Sequence, residues 1–473
     1  MTHIPSAADF SSGVARNARW SGDKQVFQRI GKPGLKELKH LPGRRGLPLV
    51  GILPEAVLNP YRFAQRMHAR HGRAYRFYAS GSWNVQLVGP EANELVLFDR
   101  DSTYSAWGGW SPVIEPFFPG ALLIQDGEEH RANRRILGEA FRQQKLTGYQ
   151  AIFDQDIGET IRFWRGRQFD VYEEVKRLTF RIAASTFLGV RVGSESDKAI
   201  SAFGDMMGAL LALSPNPRLS RRASRGYAAR TQLEFLITRL VAEKRREPGD
   251  DILSRICTLR DDDGEPLAVR DICNSIIFLL TAAHDTLASA FTSVMYFLAQ
   301  DSRWANDLRS ELLGSNLERA VDAPTAELPL QDMVLKEALR LNAAAPVIWR
   351  RSTQPVSIYG YDIPAGTITG VAPLLVHLDP EIWHAPLAFN PLRFEPSEEA
   401  KRHKHAFVPF GGGVHKCLGM HFAQQQARIF MTHLVSELDL SLVGRDQVSW
   451  YHWPNCRPRS KLLVSAAARS PHT

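Results

Sequence analysis

The stretch from Ile272 to Gln300 constrains the fold more than any other part of the sequence. It carries a single formal charge, Asp285, and is long enough for an α-helix to cross a bilayer. An aspartate near the middle of a transmembrane helix is energetically costly, and the chain has no second stretch of this kind. We therefore predict a long helix in the core of a globular protein.

The remaining composition and periodicity favour one large, mostly helical protein. The chain has 473 residues, of which 44% are hydrophobic and 23% charged, an ordinary globular composition. Apolar residues at helical spacing dominate from residue 130 onward, whereas two short alternating runs at 75–79 and 84–88 predict a β-hairpin. The predicted fold class is mainly α with a minor antiparallel β-sheet. We divide the chain into a basic, loosely ordered N-terminal extension, residues 1–40, and a single domain, residues 41–473.

The individual elements follow from the same periodicity and from Gly and Pro punctuation. The predicted helices cover residues 91–98, 130–141, 153–164, 175–188, 198–213, 231–246, 269–298, 303–313, 331–341 and 417–438. Short strands are predicted at 357–359 and 367–371, separated by turns at 361–366.

Positive charge is concentrated at the start of the chain. The net charge is +8, and nine Lys and Arg residues face three Asp and Glu residues before residue 46. Such a basic arm could contact nucleic acid or an anionic membrane surface. No nucleic-acid-binding motif accompanies it, so we predict a solvated arm and no nucleic-acid partner.

Cysteine usage and the N-terminus indicate the compartment. The four cysteines are widely spaced, which argues against a disulfide framework and for a reducing environment. The first nineteen residues lack the apolar segment of a signal peptide or anchor. We predict a cytoplasmic protein without a transmembrane anchor.

The segment from Phe410 to Gly419 carries the strongest chemical signal. Glycines at 411–413 allow backbone conformations closed to other residues and let a flat ligand approach the main chain. Cys417 then opens a long predicted helix, whose N-terminus lowers the pKa of a thiol. A thiolate ligand on haem iron favours cleavage of the O–O bond.

Two other interpretations of Cys417 stay open from the residues alone. Most single cysteines are buried structural residues. A zinc site is the second alternative, although its spacing fits no common zinc pattern. The residues of that zinc site would be His403, His405, His415 and Cys417.

The cysteine segment resembles the haem-binding signature of the cytochrome P-450 superfamily, Phe-x-x-Gly-x-x-x-Cys-x-Gly. The matching residues are Phe410, Gly413, Cys417 and Gly419. The resemblance extends over roughly residues 40–465. It implies heme b with Cys417 as the axial iron ligand, held between a long central helix and the helix after the cysteine segment in a triangular prism. It also implies a bacterial-type monooxygenase that inserts one oxygen atom from O2 into a small hydrophobic substrate.

Residues 282–286, Ala-Ala-His-Asp-Thr, resemble the family's oxygen-activation motif. By that resemblance Thr286 orients the oxygen and its water, while Asp285 links them to bulk solvent. The alternative is a threonine bonded back to its own helix and an aspartate in an ion pair. Ala283 stands where glycine is usual, so we expect a smaller or displaced opening in this helix.

Further resemblances imply residues that hold the cofactor and its surroundings. His130 and Arg134 are one helical turn apart and match the helix that meets the haem propionates, and Arg350 and His415 match further propionate partners. Three other residues resemble the family's Glu-Arg-Arg cluster and are predicted to form a structural lock on the haem-binding core. These three are Glu337, Arg340 and Arg393. Solvated charges and an ordinary surface ion pair are the alternatives.

The segments that usually line the family's substrate pocket are apolar here. Such pockets suit lipids, steroids, terpenoids or retinoids, although aromatic and Met side chains are more often plain core. The predicted pocket residues are Trp107, Trp110, Phe117, Met207, Leu211, Ile277, Leu280, Ala283, Val347 and Ile348.

Electrons are expected from separate proteins, because no flavin or iron–sulfur segment is evident. A ferredoxin and its reductase would deliver them from NAD(P)H to a monomeric enzyme. Four cations near the cysteine segment are predicted to dock an acidic partner, namely Lys401, Arg402, Lys404 and Lys416. The alternatives are a peroxide-driven peroxygenase or isomerase on the same scaffold, and a non-catalytic haem sensor or carrier.

Overall fold

Helices dominate the chain, and strands are few and short. The computed structural model describes residues 21–48, 50–141, 143–190, 194–210, 216–261, 263–314, 328–444 and 448–469. Within them the α-helices are α1 Ser21–Ile30, α2 Leu35–Leu38, α3 Leu53–Leu58, α4 Pro60–His71, α5 Pro90–Asn93, α6 Ala106–Ile114, α7 Gly127–Ala140, α8 Gln143–Trp164, α9 Val171–Ala183, α10 Ser194–Leu210, α11 Arg221–Arg246, α12 Ile252–Thr258, α13 Val269–Gln300, α14 Ser302–Gly314, α15 Pro329–Leu341, α16 Pro373–His377, α17 Pro396–Glu399 and α18 Met420–Glu437. The predicted fold class, mainly α with a minor sheet, is confirmed, although two strand pairs of the larger sheet are parallel and the sheet is therefore mixed.

The strands form one larger sheet and three small ones among the described residues. In chain order they are β1 Gly43–Arg44, β2 Ala74–Ala79, β3 Ser82–Leu87, β4 Tyr104–Ser105, β5 Arg167–Asp170, β6 Ile348–Ser352, β7 Val356–Ile358, β8 Tyr361–Ile363, β9 Ile368–Val371, β10 Leu438–Leu442, β11 Trp450–His452, β12 Cys456–Pro458 and β13 Leu463–Ala468. The larger sheet has the order β1-β2-β3-β9-β6-β4, and the smaller ones are β10-β13-β5, β11-β12 and β7-β8. The antiparallel pair β2–β3 confirms the predicted hairpin.

Helix α13 is the centre of the molecule. It is long and apolar enough to cross a membrane by length and composition, but 67% of its most apolar window is buried inside the protein. It packs against α9, α11 and α15, and Phe291 stacks on Phe430 of α18 with ring centroids 4.2 Å apart. The prediction of a core helix is therefore confirmed: its apolar faces are covered by protein.

Two expectations about elements need correction. The helix after the cysteine begins at Met420 instead of Cys417, because the preceding residues form a short 3-10 turn, Gly413–His415, and a loop. Residues 21–38 are also more ordered than a loose extension, since they contain α1 and α2 and bury Phe27 and Leu38. The first twenty residues of that predicted extension lie outside the described residues.

Pi-helical turns replace regular helix ends at two places. The predicted helix at 91–98 is split into α5 and a π-helical turn, Glu94–Phe98. The predicted helix at 175–188 likewise ends in a π-helical turn, Ala184–Leu188. Such turns shift the side chains after them relative to a regular helix, and the first one places Phe98 against the cysteine segment.

Candidate haem and oxygen site

The cysteine segment is folded by its own backbone. The Cys417 N–H donates to the Phe410 carbonyl at 2.9 Å, which closes the loop. The Gly419 N–H hydrogen-bonds the Cys417 sulfur. Phe410 is half-buried and packs against the main core. The sulfur is thus positioned by main-chain groups of this segment, three residues before α18 begins.

The glycines of this segment serve packing within the protein. A Cβ atom at Gly413, whose φ is +60°, would lie 2.4 Å from the Leu97 carbonyl oxygen. At Gly412 it would lie 2.5 Å from the Phe98 ring. At these two positions the missing Cβ makes room for Phe98 and Leu97, and the approach of a flat ligand to the main chain stays a prediction.

The Cys417 thiol combines exposure with a raised pKa. Its side chain is exposed, yet burial among surrounding groups raises its pKa, against the Gly419 N–H and the charges of Arg134 and Lys416. A side chain that is exposed and yet surrounded by protein groups is typical of a residue that faces an internal space. The predicted lowering of its pKa is wrong for the protein groups alone, because desolvation outweighs the nearby positive charges. A bound metal cation is what deprotonates a thiol in such a place.

The four residues predicted to bind the haem propionates lie close together, namely His130, Arg134, Arg350 and His415. The His130 and His415 ring centroids are 4.0 Å apart, and Arg134 donates to the Lys416 carbonyl at 2.5 Å. Burial, followed by repulsion from His415, lowers the pKa of His130 to about 3. Arg350 is 4% exposed, and burial lowers its pKa to about 10.

The cluster has too few anions of its own. Arg350 donates only to the Trp349 carbonyl among the described residues, and the buried Nε2 of His130 has no partner there. Two carboxylates of the protein act on the cluster: Asp126 lies 3.6 Å from His415 Nε2, and Asp126 and Asp99 both attract the Arg350 guanidinium without a hydrogen bond to it. A buried cluster of donors with missing acceptors fits two carboxylates entering from outside the chain, as the propionates of a haem would.

Asp126 is a site residue that the sequence did not single out. It accepts hydrogen bonds from Ser105 Oγ at 2.5 Å and from the N–H groups of Ala106 and Trp107 at 2.8 and 3.0 Å. It thereby joins the start of α6, the start of α7 and His415. His415, followed by these three hydrogen bonds, holds the pKa of Asp126 down despite its burial. Asp126 directly precedes α7, where a local cap is the usual role of an aspartate, so no sequence signal indicated this bridging role.

A row of exposed positions marks one side of α13. Ser275, Phe278, Ala282 and Thr286 are exposed or partly exposed, at intervals of three or four residues, on a helix that is otherwise buried from Ile272 to Leu298 except at Ala283. This spacing places them on one face. The row therefore borders an open space, and Ala283 lies beside it.

Thr286 and Asp285 point to different surroundings. The Thr286 hydroxyl donates to the Ala282 carbonyl at 2.7 Å, the back-bonded geometry considered as its alternative role. Asp285 is buried, and its Oδ1 lies 3.6 Å from His284 Nε2. Desolvation raises the Asp285 pKa, while the charges of Lys176 and Arg457 oppose the rise.

The His284 tautomer follows from its neighbours. Thr179 Oγ1 donates to the Lys176 carbonyl at 3.2 Å, so it accepts from the Nδ1–H of His284 at 3.0 Å. Burial lowers the pKa of His284 to about 3, which keeps the ring neutral and leaves Nε2 as an acceptor toward Asp285. A carboxyl group with a raised pKa beside an acceptor nitrogen is well suited to hold a proton.

The predicted pocket residues divide into two groups. Ile277 and Leu280 are fully buried in the main core, at 0% and 1% exposure, and Phe117 is buried against Tyr227. Their burial favours core over pocket, and the open side of α13 lies one position from Ile277, at Phe278. Trp107, Trp110, Met207, Ala283, Val347 and Ile348 are partly exposed, and Leu211 lies outside the described residues.

The predicted Glu-Arg-Arg cluster is assembled and buried. Arg340 makes two hydrogen bonds to Glu337, at 2.7 and 2.8 Å, and Arg393 Nε donates to the same carboxylate at 3.0 Å. Arg340 also donates to the His377 and Pro386 carbonyls. Both partners of the shorter pair are fully buried. This is not the surface ion pair considered as the alternative, and its backbone partners tie α15 to the end of α16 and to the loop that follows α16.

The zinc alternative finds no support within the described residues, where no group of three His, Cys, Asp or Glu side chains could hold a metal ion. His405 instead stacks on Phe98 with ring centroids 4.1 Å apart. His415 is directed to Asp126. The side chains around Cys417 thus suit a cofactor that brings its own metal ligands.

Comparison with known proteins agrees with the signature segment. The Cytochrome P-450 family model matches residues 41–461. A cytochrome P-450 136 of Mycobacterium tuberculosis is 35% identical over 87% of this chain and 85% of its own length. A cytochrome P-450 120 of Synechocystis is 29% identical over 91% of this chain and 97% of its own length. The structure of retinoic acid-bound cyanobacterial CYP120A1 has a TM-score of 0.84 and 27% identity, covering 91% of this chain and 99% of that one.

The matched region contains the cysteine segment, the cationic cluster, α13 and the buried Glu-Arg-Arg set. Members of this family act with a redox partner on a small-molecule substrate. The chain belongs to the cytochrome P-450 family and is a haem-thiolate monooxygenase.

Proposed function

We propose that this monooxygenase oxygenates an apolar, isoprenoid-type small molecule of the retinoid class, using O2 and electrons supplied from NAD(P)H by a separate ferredoxin. The observation that carries the substrate class is the similarity to retinoic acid-bound CYP120A1 over 91% of the chain. The apolar surroundings of the open side of α13, where Phe278 meets Phe118 edge-on at 6.0 Å, support it. Apolar pockets with few polar groups bind such ligands.

The residues of the cationic cluster would hold the haem. Arg350, Arg134, His130 and His415 would bind the two propionates, and Cys417 would bind the iron. When bound, a thiolate-ligated haem activates dioxygen and favours cleavage of its O–O bond. Glu337, Arg340 and Arg393 act as a structural lock that keeps the surrounding loops in place.

Asp285 and Thr286 would manage protons. The Thr286 hydroxyl donates to Ala282, so its oxygen keeps lone pairs that can accept a hydrogen bond from water in the open space. Asp285 holds a proton readily because burial raises its pKa, and its carboxyl would have to turn from His284 toward the open space to pass this proton to such a water. This arrangement favours dioxygen chemistry over a peroxide-driven reaction or a haem sensor, which need no proton supply.

Retinoic acid is the first ligand to test. Added to the purified oxidised protein, it should shift the haem spectrum from low spin to high spin, and an oxygenated product should form with a ferredoxin, its reductase and NADPH. Thr286→Ala should keep the spin shift and lower the product formed per NADPH consumed. Peroxide-only turnover that Thr286→Ala leaves unchanged would favour the peroxygenase instead.

The electron donor would dock beside the cysteine segment. Lys404 and Lys416 are exposed there, next to Val414, which is 60% exposed. Lys401 is engaged with Glu398 at 2.6 Å and Arg402 lies over the Trp383 ring at 4.4 Å, whereas Lys404 has only a longer contact with Glu94, at 3.8 Å. We therefore assign docking of an acidic, ferredoxin-type partner to Lys404 and Lys416. A monomer in the cytoplasm is the setting that we propose for this exchange.

Charge reversal tests this assignment. Lys404→Glu with Lys416→Glu should slow reduction by an acidic ferredoxin at least ~10-fold at low salt, because steering by surface charge is strongest there. Lys461→Glu, an exposed lysine on the β12–β13 connection, serves as the control. Equal rates for the double variant and the unmodified protein would exclude this docking surface.

A further inference from the structure

The net positive charge of this protein is concentrated at one end of the sequence. Residues 1–73 contain thirteen Lys and Arg against four Asp and Glu, whereas the remaining 400 residues contain 45 and 46. The rest of the chain is thus almost neutral. A charge distribution of this kind creates a local field that attracts anionic surfaces.

The described part of this segment presents a row of arginines. Arg62, Arg66 and Arg70 follow one another at intervals of four residues on α4 and are all exposed, so they lie on one face of the helix. The only carboxylate near them among the described residues is Glu55, 3.4 Å from Arg66. Like charges at this spacing destabilise a helix, a cost that binding to an anionic partner would remove.

Exposed apolar side chains lie directly before this row. Leu47 is 56% exposed, Val50 44% and Leu58 73%. The first two share a tight turn that is closed by paired backbone hydrogen bonds between Leu47 and Gly51, both 3.0 Å. Leu58 ends α3, and a large apolar side chain exposed to this extent loses favourable burial.

Short-range contacts join the apolar residues and the arginines into one surface. Asn59, next to Leu58, caps α4 by accepting from the Arg62 N–H at 3.1 Å. Glu55 of α3 bonds both Arg44, which is close to the turn, and Arg66 of α4. We call Leu47, Val50, Leu58, Arg62, Arg66 and Arg70 the basic–apolar patch.

We propose that the basic–apolar patch docks this protein peripherally onto an anionic lipid bilayer. The arginines would bind lipid phosphates, with attraction that grows with each cation near the surface. Leu47, Val50 and Leu58 would enter the boundary between headgroups and acyl chains, as the apolar faces of interfacial segments do. A nucleic acid offers phosphates as well, but its backbone has no apolar layer for exposed leucines.

Vesicle flotation with the full-length holoprotein tests the proposal. The protein should float with vesicles of phosphatidylcholine that contain phosphatidylglycerol, and it should bind vesicles of phosphatidylcholine alone far more weakly. Binding should weaken between ~0.1 M and ~1 M salt, because the Debye length shrinks from about 10 Å to about 3 Å. Arg62→Glu, Arg66→Glu and Arg70→Glu together should reduce the affinity at least ~100-fold.

The matched control is a variant with the same change in net charge elsewhere on the surface. Arg100→Glu, Arg246→Glu and Arg303→Glu reverse three exposed arginines outside the patch and should leave the affinity within a few fold. Leu47→Ser, Val50→Ser and Leu58→Ser should abolish the binding that persists at ~1 M salt. The carbon-monoxide difference spectrum shows whether each folded variant still binds haem. If a charge-reversal variant does not, the same three arginines are changed to Gln instead of Glu.

Two outcomes would overturn the proposal. One is an equal loss of affinity in the patch variant and the control variant, which would reduce the effect to net charge. The other is unchanged vesicle binding by the serine variant together with competition by duplex DNA, which would indicate a general polyanion site. Both readouts are independent of substrate turnover, so they hold whichever substrate the enzyme oxidises.

Discussion

Two neighbouring arginines show how residue roles depend on the partners that the fold supplies. Arg350 and Arg351 are buried to a similar extent on β6, at 4% and 7% exposure. Arg351 donates to the Gly366 carbonyl at 2.9 Å and to the Gly31 carbonyl, and it lies over the Phe27 ring at 4.2 Å. Arg350 donates only to the Trp349 carbonyl among the described residues. One guanidinium is satisfied by protein, and the other is left to bind a ligand.

We therefore expect Arg350→Met to weaken haem binding ~10- to 100-fold, since a hydrogen bond to a charged group contributes about 1.5–3 kcal/mol. The haem-free protein should lose little stability, because the attraction of Asp126 and Asp99 is set against the cost of burying the Arg350 charge. Haem transfer to apomyoglobin measures the first quantity and urea unfolding of the haem-free protein the second.

Arg351→Met is the matched control. It should destabilise the haem-free protein by about 2–4 kcal/mol, because it leaves buried carbonyl groups without a donor, and it should leave haem transfer nearly unchanged. A loss of haem affinity in Arg351→Met as large as that in Arg350→Met would contradict the assignment of Arg350.

At the scale of elements, the two sides of α13 have different surroundings. One side is core, where Ile277 and Phe291 are completely buried. The other side carries the exposed row that includes Phe278 and Thr286. Neighbouring residues on a helix differ by about 100° in direction, so a shift of one position exchanges core for open space.

Substrate affinity should follow this division. Phe278→Ala should weaken ligand binding ~10-fold or more, because it removes a large apolar contact from the open side. The measurement is a titration of the spin-state change with the ligand. The effect of Phe278→Ala on the free energy of unfolding should be smaller than its effect on the free energy of ligand binding.

Ile277→Val provides the comparison one residue away. It should destabilise the protein by about 0.5–1.5 kcal/mol, as deletion of a buried methyl group does, and leave the ligand affinity within about twofold. If both changes weaken binding equally, the open space does not lie on the Phe278 side of α13.

At the scale of the whole molecule, several histidines are buried in neutral form. Burial lowers the pKa of His284 and His377 to about 3 and that of His452 to about 4. His377 Nε2 accepts from the Val408 N–H at 3.2 Å, a bond that a protonated ring could not make. In the unfolded chain these rings take up a proton near pH 6.5.

Stability should therefore fall as the pH drops. Below about pH 6.5 the unfolded state binds protons that the folded state excludes until the pH nears 3 to 4, so the free energy of unfolding decreases across that window. For each of these histidines, the free energy of unfolding at pH 5 should be about 2 kcal/mol lower than at pH 7. Urea unfolding of the protein between pH 7 and pH 5 measures this loss.

His377→Gln keeps a side-chain acceptor for Val408. It should reduce the loss of unfolding free energy between pH 7 and pH 5 by about 2 kcal/mol. His384→Gln replaces an exposed ring and should leave the slope as it is. A slope unaffected by His377→Gln would show that this ring is protonated in the folded protein.

The sequence by itself determined the elements whose signals are local. The glycines before Cys417, the apolar run of α13 and the spacing of Glu337 and Arg340 can be identified locally, whereas the addition of Arg393 to that pair follows from the family resemblance. Their assembly was predicted through resemblance, and the buried hydrogen bonds of Glu337 with both arginines agree with it.

Tertiary structure decided what depends on partners distant in sequence. Gly412 and Gly413 are required by Phe98 and Leu97, more than 300 positions earlier, and Asp126 reaches His415 across a similar separation. The side of α13 that opens onto space, and the sign of the Cys417 pKa shift, depend on which groups surround them. Periodicity predicts that a helix forms, but its rotation and the desolvation of its neighbours are set only when the whole core packs.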